Sequence, residues 1–182
     1  MKKIVSVAIL SLLMTACGDK GSNNQTSDSS NAVNSTKTKK VDACDVLNKP
    51  LIKTTFNGAT EIKIIKERKD KVPDSIRHTV CSYTFTLGNE IYSVGLILQA
   101  ANDPYTEVGN LAHYVKYTPG SKLISGVGEK AYYSEPQQLL NAYADHSLIQ
   151  VNTSNKGAHN PKKYKEISTK IAIKILEQLA QK

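Results

Sequence analysis

The side chains with the most reactive chemistry in this chain are three thiols and four imidazoles. They are Cys17, Cys44 and Cys81, and His78, His113, His146 and His159. No two histidines stand at a helical or turn spacing that would present them to a shared metal. No GxSxG segment marks a serine nucleophile. The pattern therefore predicts no catalytic residue, no metal and no cofactor, and it leaves the thiols to be explained.

The first sixteen residues have the layout of a secretory signal peptide. Lys2 and Lys3 begin it, an apolar run covers residues 4–14, and Thr15 and Ala16 are small. An apolar run of about 11 residues is too short to cross roughly 30 Å of hydrocarbon as a permanent helix. We therefore expect residues 1–16 to be removed on export.

The end of this segment, Leu13-Met14-Thr15-Ala16-Cys17, resembles the lipobox of bacterial lipoproteins. The resemblance implies that signal peptidase II cuts before Cys17. The Cys17 thiol then carries a diacylglyceryl group, and its amine carries a further acyl chain such as palmitate. Met14 departs from the family, in which leucine is commonest at that place. Two or more chains anchor a protein firmly to a membrane.

The residue after the cysteine indicates which membrane of a Gram-negative cell holds the protein. In Gram-negative lipoproteins an aspartate directly after the cysteine favours retention in the inner membrane. Here Gly18 follows Cys17 and Asp19 comes one place later. The resemblance therefore implies an envelope protein on the periplasmic face of the outer membrane, if the host is Gram-negative.

Export also gives the other two thiols a role. Cys44 and Cys81 are an even pair in an oxidising compartment, which predicts a disulfide between them. In the chain-entropy model, closing a loop of about 37 residues stabilises the fold by roughly 4 kcal/mol. Metal ligation by the two thiols is the alternative, and it would need further ligands.

Composition divides the mature chain into two parts. Residues 17–40 are rich in Ser, Asn, Thr and Lys, which predicts a flexible tether, and residues 41–182 can form one domain. The formal net charge of the whole chain is +8. A basic exported protein can bind anionic envelope polymers, whereas its export argues against nucleic acid. The alternative is a lysine-rich surface that is simply solvated.

Periodicity predicts an α+β domain with helices packed on a largely antiparallel sheet, in the order α-βββ-α-βββ-α. The charged stretch 66–77 is interpreted as a loop. The expected elements are helices near 42–56, from Asp103 and from about Lys162, and strands near 62–64, 81–87, 91–100, 130–134, 139–144 and 148–151. The final helix has an apolar stripe of Tyr164, Ile167, Ile171, Ile175 and Leu179.

Three short segments resemble small extracytoplasmic lipoprotein domains of unknown function, best known from actinobacteria. They are residues 42–47 (DACDVL), 81–83 (CSY) and 126–133 (GVGEKAYY). The resemblance implies the disulfide and the α+β domain, and it brings no known activity.

Tyrosines and basic residues are the candidates for a binding surface. Tyrosine offers large contact area, and lysine-rich segments can touch anionic polymers. The candidates are Tyr132, Tyr133, Lys66, Arg68 and Lys69; a second basic stretch holds Lys156, Lys162, Lys163 and Lys165. Sheet packing and solvated loops are the alternatives for both sets.

The leading hypothesis is a non-enzymatic binding or accessory module, anchored to the membrane, whose partner is an envelope protein or polymer. An inhibitor or immunity protein acting on a toxin or a wall hydrolase is the alternative, and a hydrolase with an unrecognised site is less favoured.

Overall fold

A seven-stranded sheet and four helices make up the part of the chain that the structure describes. The structure is a computed structural model, and it describes residues 41–69, 76–101, 104–157 and 159–181. The elements are α1 (Ala43–Val46), α2 (Lys49–Thr55), β1 (Thr60–Lys69), β2 (Ile76–Leu87), β3 (Glu90–Ala101), α3 (Pro104–Tyr117), β4 (Ser121–Ile124), β5 (Lys130–Ser134), β6 (Leu139–Ala144), β7 (Ser147–Asn155) and α4 (Pro161–Leu179). The predicted signal peptide 1–16 and tether 17–40 lie outside the described residues.

The strands lie in the order β1-β2-β3-β7-β6-β5-β4, and every pairing between them is antiparallel. Tight hairpins connect several neighbours. Asp145 and His146 turn β6 into β7 with φ of 46° and 59°. Positive φ at both central residues is typical of the type I′ turn, whose twist matches that of the flanking strands. The predicted α+β class with an antiparallel sheet is confirmed.

Helices α1, α2 and α4 cover one face of the sheet and enclose the main core. The face of α4 that packs on β6 and β7 repeats at the helical period. Its fully buried residues include Ile167, Ile171, Ala172 and Ile175. Nearby, the rings of Phe56, Phe85 and Tyr92 stack in series, with centroids 5.4 and 5.9 Å apart. The stripe predicted for the final helix is therefore the face that closes the core.

Helix α3 packs on the other face and covers only part of it. Leu111 of α3 forms a small cluster with Tyr143 of β6 and Leu148 of β7. Away from this cluster the same face keeps polar side chains, such as Ser82 and Asn152. One face of the sheet is thus closed by three helices, and the other stays open in part.

The predicted disulfide is present and joins α1 to β2. Cys44 and Cys81 are bonded, with their Cα atoms 5.1 Å apart. Cys81 is fully buried. A second buried link runs beside it, because the backbone N–H of Ala43 donates to Thr79 Oγ1 at 2.8 Å. A helix of four residues has little stability of its own, so these links hold α1 in place.

Two sequence interpretations are wrong about strands. The segment 66–77 is not a loop throughout, because β1 continues to Lys69 and β2 begins at Ile76. β1 lies at the sheet edge, where one side of the strand meets solvent. Charged residues are tolerated there, so the strand lacks the alternation of apolar and polar residues that would have predicted it. Strand β4 was missed because it is short and half exposed. The second group therefore has four strands rather than three.

The edge strand β1 is irregular. Its pairing with β2 shifts register between Thr60 and Lys63, and again between Ile64 and Lys66. Ile64 and Ile65 are both exposed at this edge. Such shifts bend a strand and leave local groups unpaired.

Residues Thr38–Lys182 form one compact unit, and the main core lies within it. A unit with its own core is able to fold alone. Among the residues that the structure describes, no helix is both long and apolar enough to cross a membrane.

Candidate functional site

The described residues line two open hollows, one on each side of the sheet. The larger is a cleft of about 660 Å³ between the β4–β5 edge and the start of α4. We call it the edge cleft. Its lining residues are Gly120, Lys122, Leu123, Ile124, Tyr133, Glu135, Pro136, His159, Pro161 and Lys165. Its volume lies in the range of small-ligand sites.

Tyr133 lies between the two lysines of the edge cleft. Lys122 of β4 is its direct cross-strand partner, and directly opposed residues share a face of the sheet. From the helix side, Lys165 Nζ lies 5.8 Å from the centre of the Tyr133 ring. Strand pairing fixes the first neighbour, and the packing of α4 fixes the second.

The Tyr133 hydroxyl is in an unusual state. The residue is only 4% exposed, and its oxygen has no hydrogen-bond partner among the described residues. Desolvation by burial, reinforced by the negative charge of Glu135, raises the pKa of Tyr133 to about 12. The hydroxyl therefore keeps its proton at neutral pH and can donate a hydrogen bond.

The start of α4 forms the opposite wall. Asn160 caps the helix, because its side chain accepts from the Lys163 N–H at 3.0 Å, and Pro161 occupies the first turn. His159 is held from two sides, since its Nδ1 lies 3.1 Å from Gln138 Nε2 and its ring meets the Tyr164 ring edge-on. The wall is thus built on fixed backbone.

The second hollow is a groove of about 390 Å³ on the opposite side of the sheet. Gly95 lies at its floor, flanked in register by Ser82 and Asn152. A Cβ at Gly95 would come within 2.5 Å of Asn152 Oδ1, so a larger residue there would displace the Asn152 side chain. Lys66 and Gln150 contribute to the groove walls.

The predicted binding residues fall in two places. Lys66 is exposed at the groove, and Tyr132 is half-buried on the same side of the sheet, with Lys130 Nζ 5.9 Å from its ring centre. Tyr133 lies on the other side, in the edge cleft. The side chains of Arg68 and Lys69 lie outside the described residues. The structure therefore separates the two neighbouring tyrosines, as strand alternation requires.

Lys122 is the cleft residue that sequence reasoning missed. The sequence did not predict its position because β4 was not recognised as a strand. Without the pairing of β4 with β5, nothing placed Lys122 beside Tyr133. Lys165 was noted as part of a basic stretch, but its position over Tyr133 depends on how α4 docks.

The edge cleft has the character of a binding site. It combines two cations, a buried hydroxyl donor and the apolar side chains of Leu123 and Ile124. Among the described residues no group of three or more His, Cys, Asp or Glu could hold a metal. The thiols of Cys44 and Cys81 are consumed by their bond.

No family model, curated protein or solved structure matches this chain.

Proposed function

We propose that this protein is a lipid-anchored binding module of a bacterial cell envelope, and that its ligand enters the edge cleft. The cleft carries this proposal. Within the described part of the chain, it joins two lysines without a carboxylate partner, a hydroxyl without a hydrogen-bond partner, and apolar side chains, in a volume that suits a small ligand. These groups are suited to binding a ligand, and none of them needs to react with it.

The disulfide supports the envelope location. Disulfides form and persist in oxidising compartments and are rare in the cytosol. The Cys44–Cys81 bond lies in the core and ties a helix to the sheet. Its presence agrees with the export that residues 1–16 predict, and with an anchor on Cys17.

Labelling tests the anchor. Cells expressing the chain would be grown with radiolabelled palmitate, beside cells expressing Cys17→Ser. We expect label on the original chain, in the outer-membrane fraction of a Gram-negative host, and none on the variant. Equal labelling of both chains, or of neither, would refute the anchor, and label confined to the inner membrane would refute the assigned membrane.

A further inference from the structure

The edge cleft contains more positive than negative charge. Lys122 and Lys165 are exposed in its walls, and no described carboxylate lies within ion-pair distance of either. Glu135 is the lining carboxylate, and His159 is the lining imidazole. Three other lysines of α4 are paired: Lys163 and Lys170 with Glu166, and Lys174 with Glu177. Concave walls focus the field of unpaired cations, which favours an anion.

Helix α4 adds to this field. It has 19 residues, and its first turn contains no acidic side chain. A helix of this length presents about half a positive charge at its N-terminus. Pro161, its first residue, lines the cleft. The positive end of α4 therefore faces the same space as the two lysines.

The Tyr133 hydroxyl is the independent sign of a missing ligand. Leaving a buried polar group without a partner costs about 1–3 kcal/mol, and native proteins rarely leave one so. This hydroxyl has none among the described residues, and Tyr133 is one of the residues that line the cleft. Lys165, which lies over the ring, is exposed.

We propose that the edge cleft binds a phosphate group, with Lys122 and Lys165 supplying charge and Tyr133 donating a hydrogen bond. Two point charges from different elements suit the several oxygens of a phosphate. Lysine is a common partner of phosphate, to which it binds as a point charge. The cleft is larger than one phosphate, so Leu123 and Ile124 can contact the apolar part of a phosphate ester.

This inference deepens the proposed function, because it names the ligand class of the same cleft. The phosphate can belong to a phospholipid headgroup or to a free organic phosphate. Both present the same oxygens to Lys122, Lys165 and Tyr133, and only a binding experiment with both sources separates them.

The test uses Thr38–Lys182 with its disulfide formed, because this unit contains its own core. Sodium phosphate would be titrated into ¹⁵N-labelled protein at constant ionic strength, with sodium acetate as comparator. We expect saturable shifts of the amides of Lys122, Tyr133 and Lys165 with phosphate. Lys122→Ala and Lys165→Ala should each weaken binding about fivefold, and Tyr133→Phe about tenfold.

The matched control is the double variant Lys170→Ala/Lys174→Ala. It removes two exposed lysines from the same helix outside the cleft, and binding should stay within about twofold of the original. The proposal fails if shifts do not saturate, if acetate binds as tightly as phosphate, or if this control weakens binding as much as Lys122→Ala/Lys165→Ala. Should Tyr133→Phe fail to fold, the exposed lysine variants still decide.

Co-flotation identifies the source of the phosphate. Binding to phosphatidylglycerol vesicles that Lys122→Ala/Lys165→Ala abolishes would assign a lipid headgroup. Saturable binding of phosphate without vesicle binding would assign a free phosphate. Either result supports the phosphate site. Labelling of Cys17 is measured separately, so a failure of the anchor and a failure of the cleft are distinguishable.

Discussion

Breaking the Cys44–Cys81 bond should destabilise the domain without undoing the docking of α1. The bond closes a loop over a sequence separation of 37. For a loop of that length the chain-entropy expression gives about 13 cal/mol/K, which is about 4 kcal/mol at 25 °C. The loss arises mainly in the unfolded chain, which gains freedom when the link is cut.

The native state should change little, for two structural reasons. The Ala43 N–H still donates to Thr79 Oγ1, and Val46 and Leu47 remain buried in the core. Cys44 is only half-buried, so its freed thiol can turn outward while Cys81 stays in place. Reduction removes the link but keeps both sulfur atoms, so it creates no cavity.

The assay is thermal and urea unfolding of Thr38–Lys182, oxidised and reduced, followed by circular dichroism. Cys17 is absent from this unit, so no third thiol can exchange. The unit has about 145 residues, and the unfolding entropy expected for that size converts 4 kcal/mol into a fall of about 13 °C in Tm. The urea m-value should rise, because the reduced unfolded chain is less compact.

Two outcomes would refute this reasoning. A loss below about 1 kcal/mol would mean that the bond does not constrain the unfolded chain. A loss of native helical signal before unfolding would mean that the Ala43–Thr79 hydrogen bond cannot hold α1 by itself. The variant Cys44→Ser, which keeps the buried Cys81 thiol, should reproduce the effect of reduction to within about 1 kcal/mol.

Two further predictions concern stability. Gly128→Ala should lower the free energy of unfolding in urea by more than about 2 kcal/mol, because φ is +57° and the new Cβ would lie 2.6 Å from the Tyr143 carbonyl oxygen. Its control is Gly126→Ala, at φ +76° with nothing within 4 Å of the new Cβ. The control should lower the free energy of unfolding by only about 1–2 kcal/mol. Equal losses would contradict the clash. Burial raises the pKa of Tyr92 and of Tyr133 to about 12 from 10.0. Because the pKa of each tyrosine is higher in the folded than in the unfolded state, their contribution to stability is retained below pH 10. Between pH 10 and 12 the free energy of unfolding should fall by about 1.4 kcal/mol per pH unit for each tyrosine. The variant Tyr133→Phe should halve the joint contribution of the two tyrosines to that slope.

Local patterns were enough to predict the parts of the fold that are set by neighbours in sequence. The period of α4 identified its buried stripe, and the alternation at Cys81, Tyr83 and Phe85 identified the buried side of β2. The disulfide followed from a compartment argument and not from geometry. Each of these features depends on a single segment or a single count.

The edge cleft could not be predicted, because it is assembled by tertiary pairing. Tyr133 was a candidate because the chain is rich in tyrosine, but nothing in the sequence identified the residues that surround it in the cleft. Lys122 reaches it through β4, a four-residue strand without a clear alternation of apolar residues. Lys165 reaches it only because α4 folds back over the sheet. Charge also misled the interpretation of β1, since an edge strand tolerates the polar residues that mark a loop elsewhere.

The irregularity of the edge strand β1 matters when copies of the domain are crowded together on a membrane. If Cys17 is acylated as proposed, copies of the domain are confined to a surface, where neighbours meet far more often than in free solution. A straight, unpaired strand at the sheet edge would then invite sheet-to-sheet polymerisation. The two register shifts and the lysines at positions 63 and 66 disrupt that template. Straightening β1 should therefore harm the protein more on a membrane than in a dilute test tube.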